Sequence, residues 1–318
     1  IGWAFDQIDD PKRILQTKVP PNNDTSIFEQ ELELSMSRLG SKKIDLLAIH
    51  GINLPEHLDM TIRPGGCLEI VRRWQKEGLI DHIGFSTHAN VDLIIKTIET
   101  GLFDYVNLHW YFIRQENERA LQSANTNDMG VFIISPTDKG GHLHTPSLKL
   151  LDLCSPLHPI EFNDLFCLRD KRIHTLSVGA SNPEDLDIHL SAISKMDTMH
   201  GEINAIEKRL INASYKSLGA SWFTTWNIGL PRWDQTPGEI NIPTFLLNYA
   251  GDPIAEHPKR LKKVSKSIKI ELLPDTPSLE ARAREIFIKY STHLETKIKQ
   301  EDNHPIDGRK NFVQTSKG

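Results

Sequence analysis

Two side chains able to do chemistry stand at the ends of apolar runs. His50 follows Ile44–Ile49 in KKIDLLAIHG, with Gly51 directly after it. Lys18 stands at the end of a shorter run, RILQTKV. A continuous apolar run bounded by charge on one side and glycine on the other suits a strand covered on both faces. His50 is then at the carboxyl end of a strand, where α/β folds gather their loops and their sites. An imidazole there can exchange a proton near neutral pH. The alternatives are a satisfied histidine in a strand-end turn and an ordinary lysine paired to an acid. Similar strand ends recur downstream in GFSTH, NLHWY, ISPTDKGG and VGASNP, and that company favours a site.

The elements that must position these ends alternate. Strands are expected at Arg13–Val19, Ile44–Ile49, Leu79–His88, Phe103–Phe112, Met129–Pro136 and Arg172–Ser181. The first helix is capped by Asp24, Thr25 or Ser26, buries Phe28, Leu32, Met36 and Leu39, and ends at Gly40. A second carries Leu68, Val71 and Trp74 and stops at Gly78. Asn90 caps a third, which Gly101 closes, and Glu116–Asn125 is a fourth. Asn182-Pro183 opens a helix to about Met196. Pro55, Pro64 and Gly65-Gly66 mark a loop, and Cys154–Phe166 reads as irregular. Units of roughly 30 residues, strand then helix, imply a parallel sheet with crossover helices. A doubly wound sheet and a (β/α)8 barrel both fit. No GxGxxG follows a strand, so the barrel is favoured. Closure needs eight strands, and the first two are expected to be missing from the front. The opening IGWAFDQIDD reads as the tail of a helix and its loop.

Composition narrows the function. The 318 residues are 38% hydrophobic and 25% charged, a globular composition. A net charge of −5 argues against a nucleic-acid partner. No apolar run approaches the roughly 20 residues of a membrane span, and no secretory signal is recognisable. Cys67, Cys154 and Cys167 lack metal or disulfide spacing and read as reduced thiols of a cytoplasmic protein. Three regions are expected: a barrel over residues 1–200, a mostly helical extension over 201–301, and a polar, disordered tail over 302–318. The extension holds a helix at Glu202–Leu218, an aromatic segment at Ser221–Pro243, a basic run at His257–Lys269 and an amphipathic helix from Thr276–Ser278 onward.

Taken in order, QTKV, DLLAIHG, GFSTHAN, NLHWY, ISPTDKGG and VGASNPEDL resemble the aldo/keto reductases over about Ile1–Met196. The resemblance implies a (β/α)8 barrel that binds NADP(H) across its carboxyl face and moves hydride between nicotinamide and a carbonyl or alcohol. It implies a catalytic tyrosine, lysine, aspartate and histidine, with Lys18 and His50 as the lysine and histidine. The aspartate and tyrosine would belong upstream of IGWAF, and no tyrosine precedes Lys18. An alkoxide formed by hydride delivery needs a proton. An ammonium near a tyrosine lowers its pKa, and a histidine can polarise the carbonyl.

The implied cofactor positions are Ser86, Thr87, Asn107, Ser135, Pro136, Thr137, Lys139, Gly140, Gly179, Ala180, Ser181, Asp185 and His189. Asp138–Gly141 matches the loop that covers the pyrophosphate, where glycine lets N–H groups approach phosphate. Gly179–Asn182 matches the last strand-helix turn, which favours an anion. Several positions depart from the family. Thr87 replaces an asparagine and Asn107 a glutamine. Ser181 stands where many members carry an arginine for the 2′-phosphate. Asp185, Ile188 and His189 replace a Gln, Glu and Asn. The resemblance implies NADP(H), with NAD(H) the alternative; these departures weaken the case for tight NADP(H) binding and leave NAD(H), loose binding or no cofactor open. GEINIP at Gly238–Pro243 resembles a branch whose C-terminal extension holds an iron–sulfur cluster. Cluster ligation takes about four thiolates. Tyr215–Pro243 contains no cysteine, so no cluster is expected; Trp222, Trp226 and Trp233 stand there instead. The rival reading is a non-catalytic scaffold or nucleotide sensor that binds a protein partner through the extension. A (β/α)8 lyase or isomerase is a third.

Overall fold

Strand order separates the two architectures. The computed structural model describes residues 2–7, 12–138 and 141–218. All six expected strands form, five of them shorter than expected and β2 one residue longer: β1 Gln16–Val19, β2 Ile44–His50, β3 Ile80–Ser86, β4 Tyr105–Leu108, β5 Gly130–Ile134 and β6 Thr175–Ser177. They pair in parallel and in chain order, β1-β2-β3-β4-β5-β6. A doubly wound sheet reverses its order at a switch point; this one does not. It is the curved, sequential sheet of a (β/α)8 barrel, six strands of it among the described residues.

Helices α1 Gly2–Gln7, α2 Thr25–Leu39, α3 Pro55–Ile62, α4 Cys67–Lys76, α5 Val91–Ile98 and α6 Glu118–Thr126 fall between or before the strands. Asp24 caps α2 through its side chain, and Gly40 ends it in the left-handed region at φ 64°. Asn90 caps α5 in the same way as Asp24 caps α2. Three helices depart from the expected elements. Pro55 does not break the chain; it opens α3 at a position where its missing N–H costs nothing. Helix α7 Leu148–Cys154 is not among the expected elements, and the segment Cys154–Phe166 read as irregular is largely α8 Pro159–Leu168. Asn182-Pro183 opens a 3-10 turn, Pro183–Leu186, before α9 Asp187–Ser194. Then α10 runs His200–Leu218.

Side chains alternate across each strand, and the two faces differ. Val19, Leu47, Ile49, Ile83, Phe85, Val106, Leu108, Val131 and Ile133 face the helices and are buried with Phe28, Leu32, Val71, Trp74, Ile94, Ile98 and Leu121. Fully burying one such side chain is worth about 1.5–3 kcal/mol. The opposite, inner face carries Gln16, Lys18, His50, His82, Ser86, Asn107, Thr175 and Ser177. The same face also carries Leu46, Ala48, Ile80, Tyr105, Phe132 and Ile134, so the helix-facing side fixes the sheet and the mixed inner side gathers the polar groups available for chemistry.

The chain divides into two compact units, Ile1–Ile211 and Asn212–Gly318. The second is described only over residues 212–218. The aromatic segment with Trp222, Trp226 and Trp233, the GEINIP motif, the basic run, the helix after Thr276 and the tail lie outside the described residues. Among the described residues no helix is long and apolar enough to cross a membrane. Cys67, Cys154 and Cys167 are free and buried.

Gly84 tests the inner face. A methyl group added there would lie 2.5 Å from the Tyr105 ring, which crosses it from β4. Gly84→Ala should therefore destabilise the full chain by about 1–3 kcal/mol, read from its urea midpoint. An unchanged midpoint would mean that the ring does not lie across the glycine.

Candidate functional site

The inner face brings the strand ends into one row. His50 pairs with Ser86, Ser86 with Asn107, Asn107 with Phe132 and Phe132 with Thr175. Lys18 lies on the same face one row lower, aligned with Ala48, Gly84 and Tyr105. Lys18 is half-buried, and burial pulls its ammonium pKa down. His50 is exposed at the end of β2. Its pKa is lowered by desolvation first and by the charge of Lys18 second. Lys18 and His50, far apart in sequence, thus sense each other across β1 and β2.

Ser86 and Thr87 hold the loop that leaves His50. The Ser86 carbonyl accepts from Gly51 N and Ile52 N, each at 2.9 Å. Its hydroxyl also accepts from Gly51 N at 3.1 Å. The Thr87 hydroxyl donates to the Ile52 carbonyl at 2.7 Å and accepts from Ala89 N at 3.0 Å. Asn107 differs. It is fully buried, and neither its amide nitrogen nor its amide oxygen has a partner. Buried polar groups are nearly always paired, and leaving one unpaired costs about 1–3 kcal/mol.

The loop after β5 turns sharply. Ser135 and Asp138 both adopt positive φ, 55° and 60°, a conformation worth about 1 kcal/mol of strain outside glycine. The Pro136 carbonyl accepts from the Asn163 amide at 2.6 Å, and the Thr137 carbonyl from Leu143 N at 3.0 Å. Asn163 also accepts from Phe112 N at 3.1 Å, tying the loops after β4 and β5 together. Thr137 and Asp138 are buried. Lys139 and Gly140 lie outside the described residues.

The turn after β6 is exposed at Gly179, Ala180 and Ser181. Nothing lies within 4 Å of where a Gly179 side chain would begin. Asp185 folds back over this turn: its carboxylate accepts from Ser181 N at 2.7 Å and Asn182 N at 3.0 Å. Those two bonds hold its pKa below the usual carboxylate value. His189 points inward from α9. Its Nδ1 is 2.5 Å from Asp164 Oδ2 of α8, both side chains are buried, and its Nε2 has no partner. Burial pushes the Asp164 carboxyl pKa up.

The structure adds residues that sequence reasoning passed over. His88 Nδ1 and His109 Nε2 are 3.1 Å apart, with ring centroids at 4.9 Å. Tyr111 is buried, donates to Asp138 Oδ1 at 3.4 Å, and lies edge-on to His109. A signal existed: His88 and His109 stand two residues past Ser86 and Asn107, the period that keeps side chains on one face. Among the described residues no group of His, Cys, Asp and Glu has the arrangement of a metal site.

No family model matches the sequence, and no curated protein matches it. Solved structures do. An aldo-keto reductase from Bacillus halodurans in its holo form superposes with a TM-score of 0.55 at 18% identity, over 65% of this chain and 76% of that one. An aldo-keto reductase from Klebsiella pneumoniae in complex with NADPH gives 0.51 at 17%, over 66% and 73%. Aldose reductase from Giardia lamblia gives 0.52 at 14%, over 67% and 79%. The chain has the aldo-keto reductase fold.

Proposed function

We propose that the chain is an oxidoreductase of aldo/keto reductase type, which transfers hydride between a nicotinamide dinucleotide and a carbonyl or alcohol substrate. The observation that carries this is the row His50–Ser86–Asn107, in register above Lys18, with an orphaned amide at its buried end. A nicotinamide carboxamide offers the donor and the acceptor that Asn107 lacks. The unpartnered Nε2 of His189 stands near the turn where the resemblance puts the adenosine. These orphans fit a dinucleotide at both ends.

Asn107 would hold the nicotinamide of a bound dinucleotide, which would supply or accept the hydride, and Ser86 with Thr87 hold the loop that leaves His50. His50, its pKa lowered, presents a neutral imidazole able to hydrogen-bond the carbonyl oxygen. Lys18 favours the deprotonated form of the neighbouring acid and so eases proton delivery. The resemblance makes that acid a tyrosine, and puts the aspartate and tyrosine on the barrel's second strand and the loop after it. His88 and His109, on the same face beyond the row, border the substrate side.

The full-length protein should bind a nicotinamide dinucleotide, seen as enhanced nicotinamide fluorescence, and reduce a generic aldehyde. Lys18→Met should abolish that turnover; unchanged activity would remove Lys18 from the mechanism. Binding without turnover of any carbonyl would point instead to the non-catalytic scaffold.

Asn107→Leu separates function from stability. It removes an unpaired buried amide, so the free protein should gain about 1 kcal/mol while dinucleotide binding is lost. Loss of stability together with retained binding would contradict the role given to Asn107. The Lys18 charge contributes to the low pKa of His50. Lys18→Met should therefore raise that pKa in an NMR titration, part of the way only, because desolvation is the larger cause.

A further inference from the structure

The turn after β6 already holds a carboxylate of its own chain. A strand-helix turn usually binds phosphate through free N–H groups. Here Ser181 N and Asn182 N are already bonded to the Asp185 carboxylate, at 2.7 and 3.0 Å. An arriving phosphate would have to displace that carboxylate or lie against its charge. Two further acids, Glu184 and Asp187, flank it, and residues 179–190 contain no lysine or arginine. Close by, the buried His189 presents an Nε2 with no partner, while Asp164 holds its Nδ1. A phosphate can only accept hydrogen bonds. A ribose hydroxyl can donate to a carboxylate and can give to or take from an imidazole nitrogen.

We propose that this turn selects NAD(H), whose adenosine ribose has a free 2′-hydroxyl, against NADP(H), which carries a phosphate there, and that Asp185 sets the choice. The inference rests on the strand-end row being a nicotinamide dinucleotide site. Asp185 accepts from the 2′-hydroxyl with the lone pairs its two backbone bonds leave free, and repels the 2′-phosphate. Ser181 is too short and uncharged to offset that repulsion.

Parallel titrations of the full-length chain with NADH and NADPH at low ionic strength, followed by nicotinamide fluorescence, decide the matter. NADH should bind at least about tenfold more tightly. Asp185→Asn keeps an acceptor for the turn but removes the charge, and should shrink that ratio toward unity; adding Ser181→Arg should reverse it. NADPH binding as tightly as NADH to the native protein would overturn the proposal without touching the oxidoreductase reading. A ratio that Asp185→Asn leaves unmoved would show that Asp185 does not set the choice. Binding of neither nucleotide would overturn the dinucleotide site itself, and the selectivity with it. The native ratio needs no variant to fold.

Discussion

Parallel pairing in a single register is the constraint on which the site depends. Lys18 and His50 belong to adjacent strands, yet they act on one another only because Lys18 pairs with Ala48 and not with Leu47 or Ile49. A slip of one residue would turn Lys18 toward the helices and bring Val19 to the inner face. The register is held by the other side of the sheet. Leu47, Ile49, Ile83 and Phe85 are fully buried against α2, α4 and α5, and no shifted pairing keeps them so. The apolar core and the chemical row are the two faces of one alternation.

Loops then refine what the strands present, and α8 does much of that work. From this one buried helix Asn163 ties the loops after β4 and β5, Asp164 holds His189, and Glu161 binds Lys195 and the Ser191 hydroxyl. Each polar side chain is buried; Asn163 reaches the loops after β4 and β5, while Asp164 and Glu161 both hold α9. A satisfied hydrogen bond adds only about 1 kcal/mol net, but an orphaned one costs more. Such bonds therefore specify where the loops lie more than they stabilise the fold. The left-handed Ser135 and Asp138 belong to the same arrangement, since strain at a loop persists only where its surroundings hold it.

Strands β2, β4 and β5 were legible because each is largely apolar; β1 and β6, QTKV and TLS, are mostly polar and were legible from their place in the strand-helix alternation. The caps at Asp24, Gly40 and Asn90 were legible for local reasons. Helix α8 was not. Nine of its ten residues are buried, Glu161, Asn163 and Asp164 among them, so it shows no polar stripe and its carboxylates mimic a surface loop. Helix α3 was hidden by Pro55, which stops most helices but is tolerated at the first position. Within the site, Lys18 and His50 were readable as strand-end residues. That Asn107 would be orphaned depends on what lies opposite its side chain, which no local pattern carries. Asp185 differs: three residues after the N-cap Asn182 it completes a capping box, a local pattern that sequence reasoning passed over.

Asn107 is where sequence, register and function meet, and its amide can be watched directly. The full-length protein, labelled with nitrogen-15 at asparagine side chains, would be titrated with NADH and with NADPH, and the Asn107 amide, assigned by its loss in Asn107→Leu, followed by NMR. A dinucleotide seated on the strand-end row should shift that resonance on binding and slow its exchange with solvent. Binding that leaves the Asn107 amide unmoved would place the nucleotide elsewhere and contradict the assignment of this row as the site.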